Sequence, residues 1–175
     1  MNMLARKISR AKWEPKEYLA ADEIRADVIS GCLRTTGDTL SWWRCTDDEE
    51  DVAEVALALA AGPKFERFDT IYVVRLPEAV FANAGLASES TDGETAVKDL
   101  RPRHMDLVSL DVERLAMVAR ILGPLIRSGD KVVRFTKAQL MTIVTTAIHE
   151  ERLDENDLTQ ELQEKLAWHG DAPPS

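Results

Sequence analysis

Hydrophobic residues recur at helical spacing in one stretch of the chain and run without interruption in another. Between residues 140 and 148 they lie three and four positions apart, which predicts an amphipathic helix. Thr136 and Gln139 precede this stretch in the order of a capping box, so the helix is expected to begin there. Residues 70–76 are apolar and β-favouring, and Pro77 follows them. This run predicts a strand in the interior of a sheet.

A second capping-box sequence predicts where another helix begins. Thr46 and Glu49 have the required spacing, and the carboxylates around them suit the positive end of a helix dipole. The helix is expected to cover residues 47–61, where Gly62 and Pro63 stop it. The acidic run at its start is therefore interpreted first as a helix terminus and only second as a metal or partner site.

The last third of the chain is predicted to be largely helical. Residues 105–110 resemble a strand, and Asp111 is placed to cap the helix that follows. The dipeptide Gly123-Pro124 is expected to kink that helix or end it early. A final helix is predicted from leucines spaced four apart, which are Leu158, Leu162 and Leu166.

The first part of the chain gives shorter patterns. Residues 3–13 suit a helix face and a strand almost equally. Residues 17–30 have apolar positions at helical spacing, which predicts a short helix with Gly31 as its stop. Residues 86–99 are polar and rich in turn-forming types, so they are expected to form a long exposed loop or a hairpin.

The dipeptide Gly37-Asp38 predicts a tight type II′ turn between two strands. In the corresponding hairpin Leu33 lies opposite Trp42, so Trp42 is expected in the core. Neighbouring residues of a strand point to opposite faces, so Trp43 faces the other way. It is expected either under the alanine-rich helix that follows or against a partner.

These elements alternate without a regular β-α-β order, which indicates the fold class. We predict an α+β fold with a small, mostly antiparallel sheet and a helical C-terminal third, and a three-layer α/β sheet is the alternative. The chain of 175 residues is expected to form one domain over residues 1–170, with a flexible tail at 171–175.

Composition and charge restrict the partners and the compartment. The net charge of −9 disfavours nucleic acid, because phosphate binding needs clustered basic residues. An acidic surface suits a basic protein partner instead. No apolar run is long enough to span a membrane, and the first 15 residues lack the apolar stretch of a signal peptide, so a cytoplasmic location is expected. The two cysteines, Cys32 and Cys45, are expected to be free thiols, and no metal or cofactor is predicted.

No nucleotide-binding or hydrolase motif is present, and one polar cluster remains as a candidate for chemistry. Arg101, Arg103, His104 and Asp106 precede or begin a strand, and the types suit an anion-binding or acid–base site. On a strand His104 and Asp106 share a face, whereas Arg103 does not. A solvated strand entry with one ion pair is the alternative.

A second candidate is a binding surface made of Trp43, Arg34 and Arg44. An exposed tryptophan flanked by arginines is typical of the centre of a protein interface. Burial of both tryptophans is the alternative. The tryptophan patch and the stripe that begins with Leu158 are also candidate surfaces for a homo-oligomer.

Three classes of function follow from these observations. The first is a non-enzymatic interaction protein, such as an inhibitor, an immunity-type protein or an adaptor, that binds a protein partner through an acidic and aromatic surface. The second is a small enzyme that acts on a phosphate-bearing substrate through the Arg/His/Asp cluster, which requires the cluster to meet in one concave pocket. The third is a nucleic-acid accessory protein that uses residues 101–145, where basic residues outnumber acidic ones.

Overall fold

A computed structural model of the chain describes residues 2–14 and 23–170, the last three of them by backbone alone. Within these residues the strands are β1 Met3–Ile8, β2 Leu40–Cys45, β3 Ile71–Pro77, β4 Ser88–Ser90, β5 His104–Leu107 and β6 Val132–Phe135. They form one antiparallel sheet in the order β4-β5-β2-β1-β3-β6. The helices are α1 Glu49–Ala60, α2 Ala79–Asn83, α3 Val112–Ser128, α4 Lys137–His149 and α5 Gln160–Gly170.

Helices cover both faces of the sheet. One apolar cluster joins the sheet to α1, α4 and α5. A second cluster joins the opposite face to α2 and α3. The predicted α+β class is confirmed, because the strands are antiparallel and the C-terminal part is largely helical. The helices lie on both sides of the sheet, as in the three-layer alternative, but around an antiparallel sheet.

The two adjacent tryptophans of β2 belong to different clusters, as strand alternation requires. Trp42 is fully buried on the α3 side, where its ring meets that of Phe81 edge-on at 5.0 Å. Trp43 is 6% exposed and belongs to the cluster under α1. Of the two predicted environments of Trp43, the structure therefore has the one under the alanine-rich helix.

The first element takes one of the two forms that the sequence left open, and the second differs from its prediction. Residues 3–8 form the strand β1, between β2 and β3 in the sheet. Part of the predicted helix over 17–30 lies outside the described residues, and its last residues form a π-helical turn, Val28–Cys32, that contains Gly31. The prediction of a helix ended by that glycine is therefore wrong for the described part.

The turn at Gly37-Asp38 is present, but the long hairpin around it is not. Thr36 and Thr39 form a single antiparallel bridge, in the predicted register. Both central residues have positive φ, +62° and +57°, which corresponds to a type I′ turn and not to the predicted type II′. The chain before the turn leaves the sheet, so β2 pairs with β1 and β5.

Only one of the two capping-box sequences forms a capping box. At α4 the Thr136 hydroxyl accepts from the Gln139 backbone N–H at 3.3 Å, and the Gln139 side chain accepts from the Thr136 backbone N–H at 2.8 Å. At α1 the N-cap is Asp48, which accepts from Glu50. The predicted start of α1 at Thr46 is therefore wrong by two residues.

We expect Thr136→Ala to lower the free energy of unfolding by about 1 kcal/mol, because it removes a working N-cap. Thr46→Ala is the matched comparison: it removes one exposed hydrogen bond, in which the Thr46 hydroxyl accepts from the Asp48 backbone N–H at 3.3 Å, and it should lower the free energy of unfolding by less than Thr136→Ala does. Urea denaturation of both variants measures the difference. Equal losses in the two variants would contradict the assignment of the caps.

The C-terminal helices differ from the predictions at two points. The helix α3 continues through Gly123 and Pro124 to Ser128, so the predicted early end is wrong. Its C-cap is Gly129, with a left-handed φ of +81°. The predicted last helix begins only at Gln160, so Leu158 precedes α5, and all three leucines of the stripe are buried in the cluster with α1 and α4. The tail at 171–175 lies outside the described residues.

The described part of the chain contains no helix that could span a membrane. None of the helices in residues 2–14 and 23–170 combines the length and the apolar character needed to cross a bilayer.

Candidate active site

A cleft of about 470 Å³ opens on the face of the sheet that carries α1. The strands β2 and β5 contribute its floor, and two connections contribute its walls, one at residues 62–65 and one at residues 91–94. The volume suits a small organic molecule, since ligand pockets commonly measure about 300–1,000 Å³. Its lining includes the side chains of Lys7, Ser41, Trp43, Thr91, His104 and Asp106.

Strand register brings the polar side chains of the cleft together. In the pairing of β2 with β5, Ser41 lies opposite Asp106 and Trp43 lies opposite His104. On the other side of β5, Thr91 continues the line of β4 and donates its backbone N–H to the His104 carbonyl oxygen at 3.4 Å. Alternate residues of a strand share a face, so all five side chains point to the cleft side of the sheet.

A chain of hydrogen bonds links four of these side chains. The Asp106 carboxylate accepts from the Ser41 hydroxyl at 3.0 Å and from the Thr91 hydroxyl at 2.8 Å. The Thr91 oxygen also lies 2.8 Å from Nδ1 of His104. Because Nδ1 is 3.9 Å from the Asp106 carboxylate, the threonine hydroxyl connects the histidine to the aspartate.

The protons available in this chain define the tautomer of His104. An ionised carboxylate accepts hydrogen bonds and does not donate them, so the single Thr91 hydroxyl proton points to Asp106. The Thr91 oxygen then offers His104 only a lone pair, and Nδ1 must carry a proton. In the neutral ring Nε2 is consequently the unprotonated, basic nitrogen.

The environment of His104 keeps the ring neutral. Burial lowers the pKa of His104 below its ordinary value of 6.5, and the charge of Asp106 opposes that effect without cancelling it. The residue is 8% exposed, and its ring lies edge-on to the Trp43 ring with centroids 5.0 Å apart. A neutral histidine at neutral pH can accept a proton.

We expect nitrogen-15 NMR to find His104 in the Nδ1–H tautomer with a pKa below 6.5, because Thr91 accepts from Nδ1 and burial penalises the charged ring. The same chain unfolded in urea provides the reference, since unfolded histidines titrate near about 6.5. Thr91→Val, which keeps the shape and removes the hydroxyl, should abolish the tautomer preference. An Nε2–H tautomer in the wild-type protein would refute the hydrogen-bond chain.

The segment 86–99 is more ordered than the sequence predicts. Ser88–Ser90 form the edge strand β4, and the backbone N–H of Ala96 donates to the Ala61 carbonyl oxygen at 3.0 Å, which ties the segment to the end of α1. Thr95 is 3% exposed. The segment is therefore neither one long exposed loop nor the predicted hairpin around Asp92-Gly93: β4 pairs with β5, and Gly93, Thr95 and Val97 are buried, although residues 87–90 are exposed. It forms a wall of the cleft.

Gly93 allows this wall to pack against the ring of Trp43. A Cβ atom at this position would collide with the ring, at 2.9 Å from Cζ3, and would lie 3.0 Å from Cβ of His104. The Gly93 backbone N–H donates to the Arg101 carbonyl oxygen at 3.0 Å, which holds the segment in place. Only a glycine fits between the loop backbone and the indole.

The predicted His/Asp pair meets in the cleft, but the two predicted arginines lie elsewhere. Arg101 donates to the carbonyl oxygen of Thr95 at 2.8 Å and lines a neighbouring pocket. Arg103 forms an ion pair with Asp51 of α1. Both arginines belong to a 3₁₀ turn, Lys98–Arg103, so they do not follow the alternation of the strand.

The predicted surface of Trp43, Arg34 and Arg44 is not assembled as one exposed patch. Trp43 is buried, while Arg44 lies on the opposite face of β2 with its side chain 3.5 Å from Glu78. Arg34 is exposed. The three side chains do not share one surface, and a role for them in binding stays a prediction.

Both cysteines are free thiols, as expected. Burial, helped by the charge of Asp51, raises the pKa of Cys45 to about 11, so its thiol is protonated at neutral pH. The sulfur of Cys32 accepts from the backbone N–H of Ser9 at 3.3 Å and from the indole N–H of Trp13 at 3.1 Å. The described residues contain no group of histidine, cysteine or acidic side chains arranged to hold a metal.

Sequence reasoning missed Ser41 and Thr91. Alternation along the strand places Ser41 on the face of Trp43, but its partner Asp106 is 65 positions away. Thr91 lies in a stretch whose composition predicts only a loop. The register of β4, β5 and β2 places both residues beside Asp106, and no short sequence motif encodes that register.

Comparisons of the chain with protein-family models, with curated proteins and with solved structures found no match. The geometry of the cleft is therefore the basis for assigning a function. It offers a concave site, a neutral histidine with a defined basic nitrogen, and a carboxylate that orients the histidine through a hydroxyl.

Proposed function

We propose that this protein is a small enzyme that binds a small polar molecule in the cleft and uses His104 as a general base. The observation that carries the proposal is the hydrogen-bond chain from Ser41 through Asp106 and Thr91 to His104, on the wall of a cleft of ligand size. The enzyme class predicted that His104, Asp106 and the nearby arginines would meet in one concave pocket. His104 and Asp106 line the cleft, which supports the proposal, whereas Arg101 and Arg103 lie elsewhere.

Each residue of the chain has a separate role in this proposal. Nε2 of His104 takes a proton from a hydroxyl group of the ligand or from a water molecule beside it, which makes the oxygen a nucleophile. Asp106 favours the protonated ring that results, because its charge lies 3.9 Å from Nδ1. Thr91 and Ser41 hold the carboxylate and the ring in orientation, so they are positioning residues.

The walls of the cleft suit a ligand that carries hydroxyl or similar polar groups. Thr36 and Thr39 line the cleft beside the turn. The Thr39 hydroxyl donates to the Thr36 carbonyl oxygen at 3.0 Å and so offers a ligand a lone pair, whereas the Thr36 hydroxyl can donate or accept. Trp43 contributes an aromatic edge, and Lys7 and Lys64 contribute two cations at the rim. A polar ligand with a flat or apolar part is the chemical class that these walls match.

The interaction-protein hypothesis has less support from the structure than the enzyme. Its predicted tryptophan is buried, and the acidic run caps α1 through Asp48 and pairs with arginines through Asp47 and Asp51. Binding of a basic protein and assembly into a homo-oligomer stay predictions. The nucleic-acid hypothesis also stays a prediction, and no contact described above favours it.

A thermal-shift screen followed by NMR tests the proposal. The screen uses nucleotides, sugar phosphates, organic acids, amino acids and polyols, and we expect one class to raise the melting temperature, because a ligand that binds only the folded state stabilises it. Amide signals of Ser41, Thr91 and His104 should shift on titration, whereas those of His149, which is exposed on α4, should not. A ligand whose shifts cluster away from the cleft would contradict the proposal.

A further inference from the structure

Arg6 lies where two central strands separate. β1 and β2 pair only as far as Ala5 and Trp43, whereas β1 continues beside β3 to Ile8. The Arg6 guanidinium fills the opening and donates to the carbonyl oxygen of Ser41 at 2.5 Å and to that of Cys32 at 3.4 Å. These contacts fix the guanidinium between β2 and the turn that ends at Cys32.

The charge of Arg6 has no ionic partner among the described residues. No carboxylate in residues 2–14 or 23–170 lies within 4.0 Å of it, although ten ion pairs of a lysine or arginine with a carboxylate occur elsewhere in that part of the chain. Its Nε atom is buried without a hydrogen-bond partner. Burial lowers the pKa of Arg6 to about 10, and the charge of Asp106, which lies beyond ion-pair distance, opposes that effect only in part, so the guanidinium is still charged at neutral pH. Charged groups in such surroundings are usually paired, so the missing partner indicates a ligand.

A side pocket of about 290 Å³ gives access to this charge. Arg6 and Lys7 line it, together with Cys32 and with residues it shares with the main cleft, among them Ser41 and Trp43. The two cavities are therefore neighbours across shared walls. One molecule of moderate size can extend from the side pocket to His104.

The balance of charge differs between the two cavities. The main cleft is lined by Asp92, Glu94 and Asp106 as well as by Lys7 and Lys64, whereas the charged residues in the described lining of the side pocket are Arg6 and Lys7. An anionic group is therefore favoured beside Arg6 and Lys7, and a neutral polar group is favoured beside His104. A ligand that carries both groups therefore has one favourable orientation, with its anionic group in the side pocket and its neutral polar group beside His104.

We propose that the side pocket binds the phosphate group of a phosphate-bearing small molecule through Arg6 and Lys7, while the rest of the molecule extends to His104. The inference rests on the proposed function, because it names the substrate class of the same cleft. Arg6 and Lys7 both line the side pocket, although as neighbours on β1 they leave the strand on opposite faces, and the Lys7 Nζ lies 5.3 Å from the centre of the Phe65 ring. Two cations in one lining match the double charge of a phosphate monoester better than the single charge of a carboxylate. Two of the five guanidinium N–H groups donate to carbonyl oxygens, which leaves others for the anion.

Calorimetric titration with inorganic phosphate at constant ionic strength tests the inference, with malonate and chloride as comparison anions. We expect the wild-type chain to bind phosphate in preference to both. Lys7→Gln and Arg6→Met should each weaken binding by about tenfold or more, because each removes a charge-assisted contact. Arg134→Met, at an exposed position on β6, is the matched control and should bind as the wild type does.

Lys7 is exposed, so Lys7→Gln should fold even if Arg6→Met does not. Phosphate binding that falls in Lys7→Gln and persists in Arg134→Met would support the inference. Preferential binding of malonate, binding that both variants leave unchanged, or no binding by the wild type would overturn the assignment to phosphate. His104→Gln should retain phosphate binding within about twofold, since its ring lies in the other cavity. The two proposals therefore fail separately: the proposed function depends on variants of His104, and this inference depends on phosphate binding by variants of Arg6 and Lys7.

Discussion

Substitution of Gly93 by alanine is expected to lower the free energy of unfolding by about 1–3 kcal/mol, the usual cost of forcing an extra methyl group into a packed site. The added Cβ would lie 2.9 Å from Cζ3 of Trp43 and 3.0 Å from Cβ of His104. The tryptophan is buried under α1, and the Gly93 backbone is held by its bond to Arg101. Because neither side can withdraw freely, the wall of the cleft must move.

Urea denaturation measures the loss, and the NMR signals of His104 show whether the site moves with it. Gly123→Ala is the matched control, since it makes the same chemical change inside α3. The nearest atom to a Cβ there is a side-chain nitrogen of Arg127 at 3.7 Å, an ordinary contact. That variant should be more stable by up to about 1 kcal/mol, because alanine favours helix more than glycine does. An unchanged stability of Gly93→Ala would show that the wall adapts and that the packing argument is wrong.

Replacement of His104 by glutamine is expected to lower turnover of the ligand by about 100- to 10,000-fold, the usual contribution of a general base. Glutamine keeps a polar side chain of similar length, so the ligand should still bind. The wild-type activity should fall as the pH decreases through the lowered pKa of His104, because the ring then holds a proton on Nε2 and cannot accept another. The basic form persists to a more acidic pH than it does in an ordinary histidine.

Steady-state kinetics from pH 4 to pH 8 measure both effects, with kcat and KM separated. His149→Gln is the control, since it removes an exposed histidine on α4. Thr91→Val should lower kcat less than His104→Gln does and should change the pH at which activity falls, because it disconnects the histidine from Asp106. Full activity in His104→Gln would end the proposal that this histidine is the base.

The sequence predicts those parts of the fold that depend on neighbours a few positions apart. The capping box at Thr136 and the cap at Asp111 use local hydrogen bonds, and both form as predicted. The same logic misplaces the start of α1, because Asp48 competes with Thr46 for the capping position. Both side chains accept from backbone N–H groups two positions ahead, Thr46 from Asp48 and Asp48 from Glu50, so local sequence logic does not choose between them.

In the candidate site, too, the sequence predicts the local relations and misses the distant ones. Alternation along a strand predicts that His104 and Asp106 share a face, and they do. The partners that give them a role, Ser41 and Thr91, come from other strands, and Arg6 comes from an element whose type the sequence leaves open. At Pro124 a local sequence rule gives a wrong prediction, because packing of α3 against the sheet overrides the tendency of proline to end a helix.

The place of β1 in the sheet has a consequence for how the protein is made. β1 comes first along the chain but lies between β2 and β3, whereas β5 comes after β4 along the chain and lies between β4 and β2. As a ribosome releases the chain, the first three strands can form the centre of the sheet, but β4 can join it only when β5 emerges and completes the rows that hold the cleft. The half-built sheet exposes open edges until then, and the long separation between β2 and β5 in the chain is the interval over which a chaperone would have most to protect.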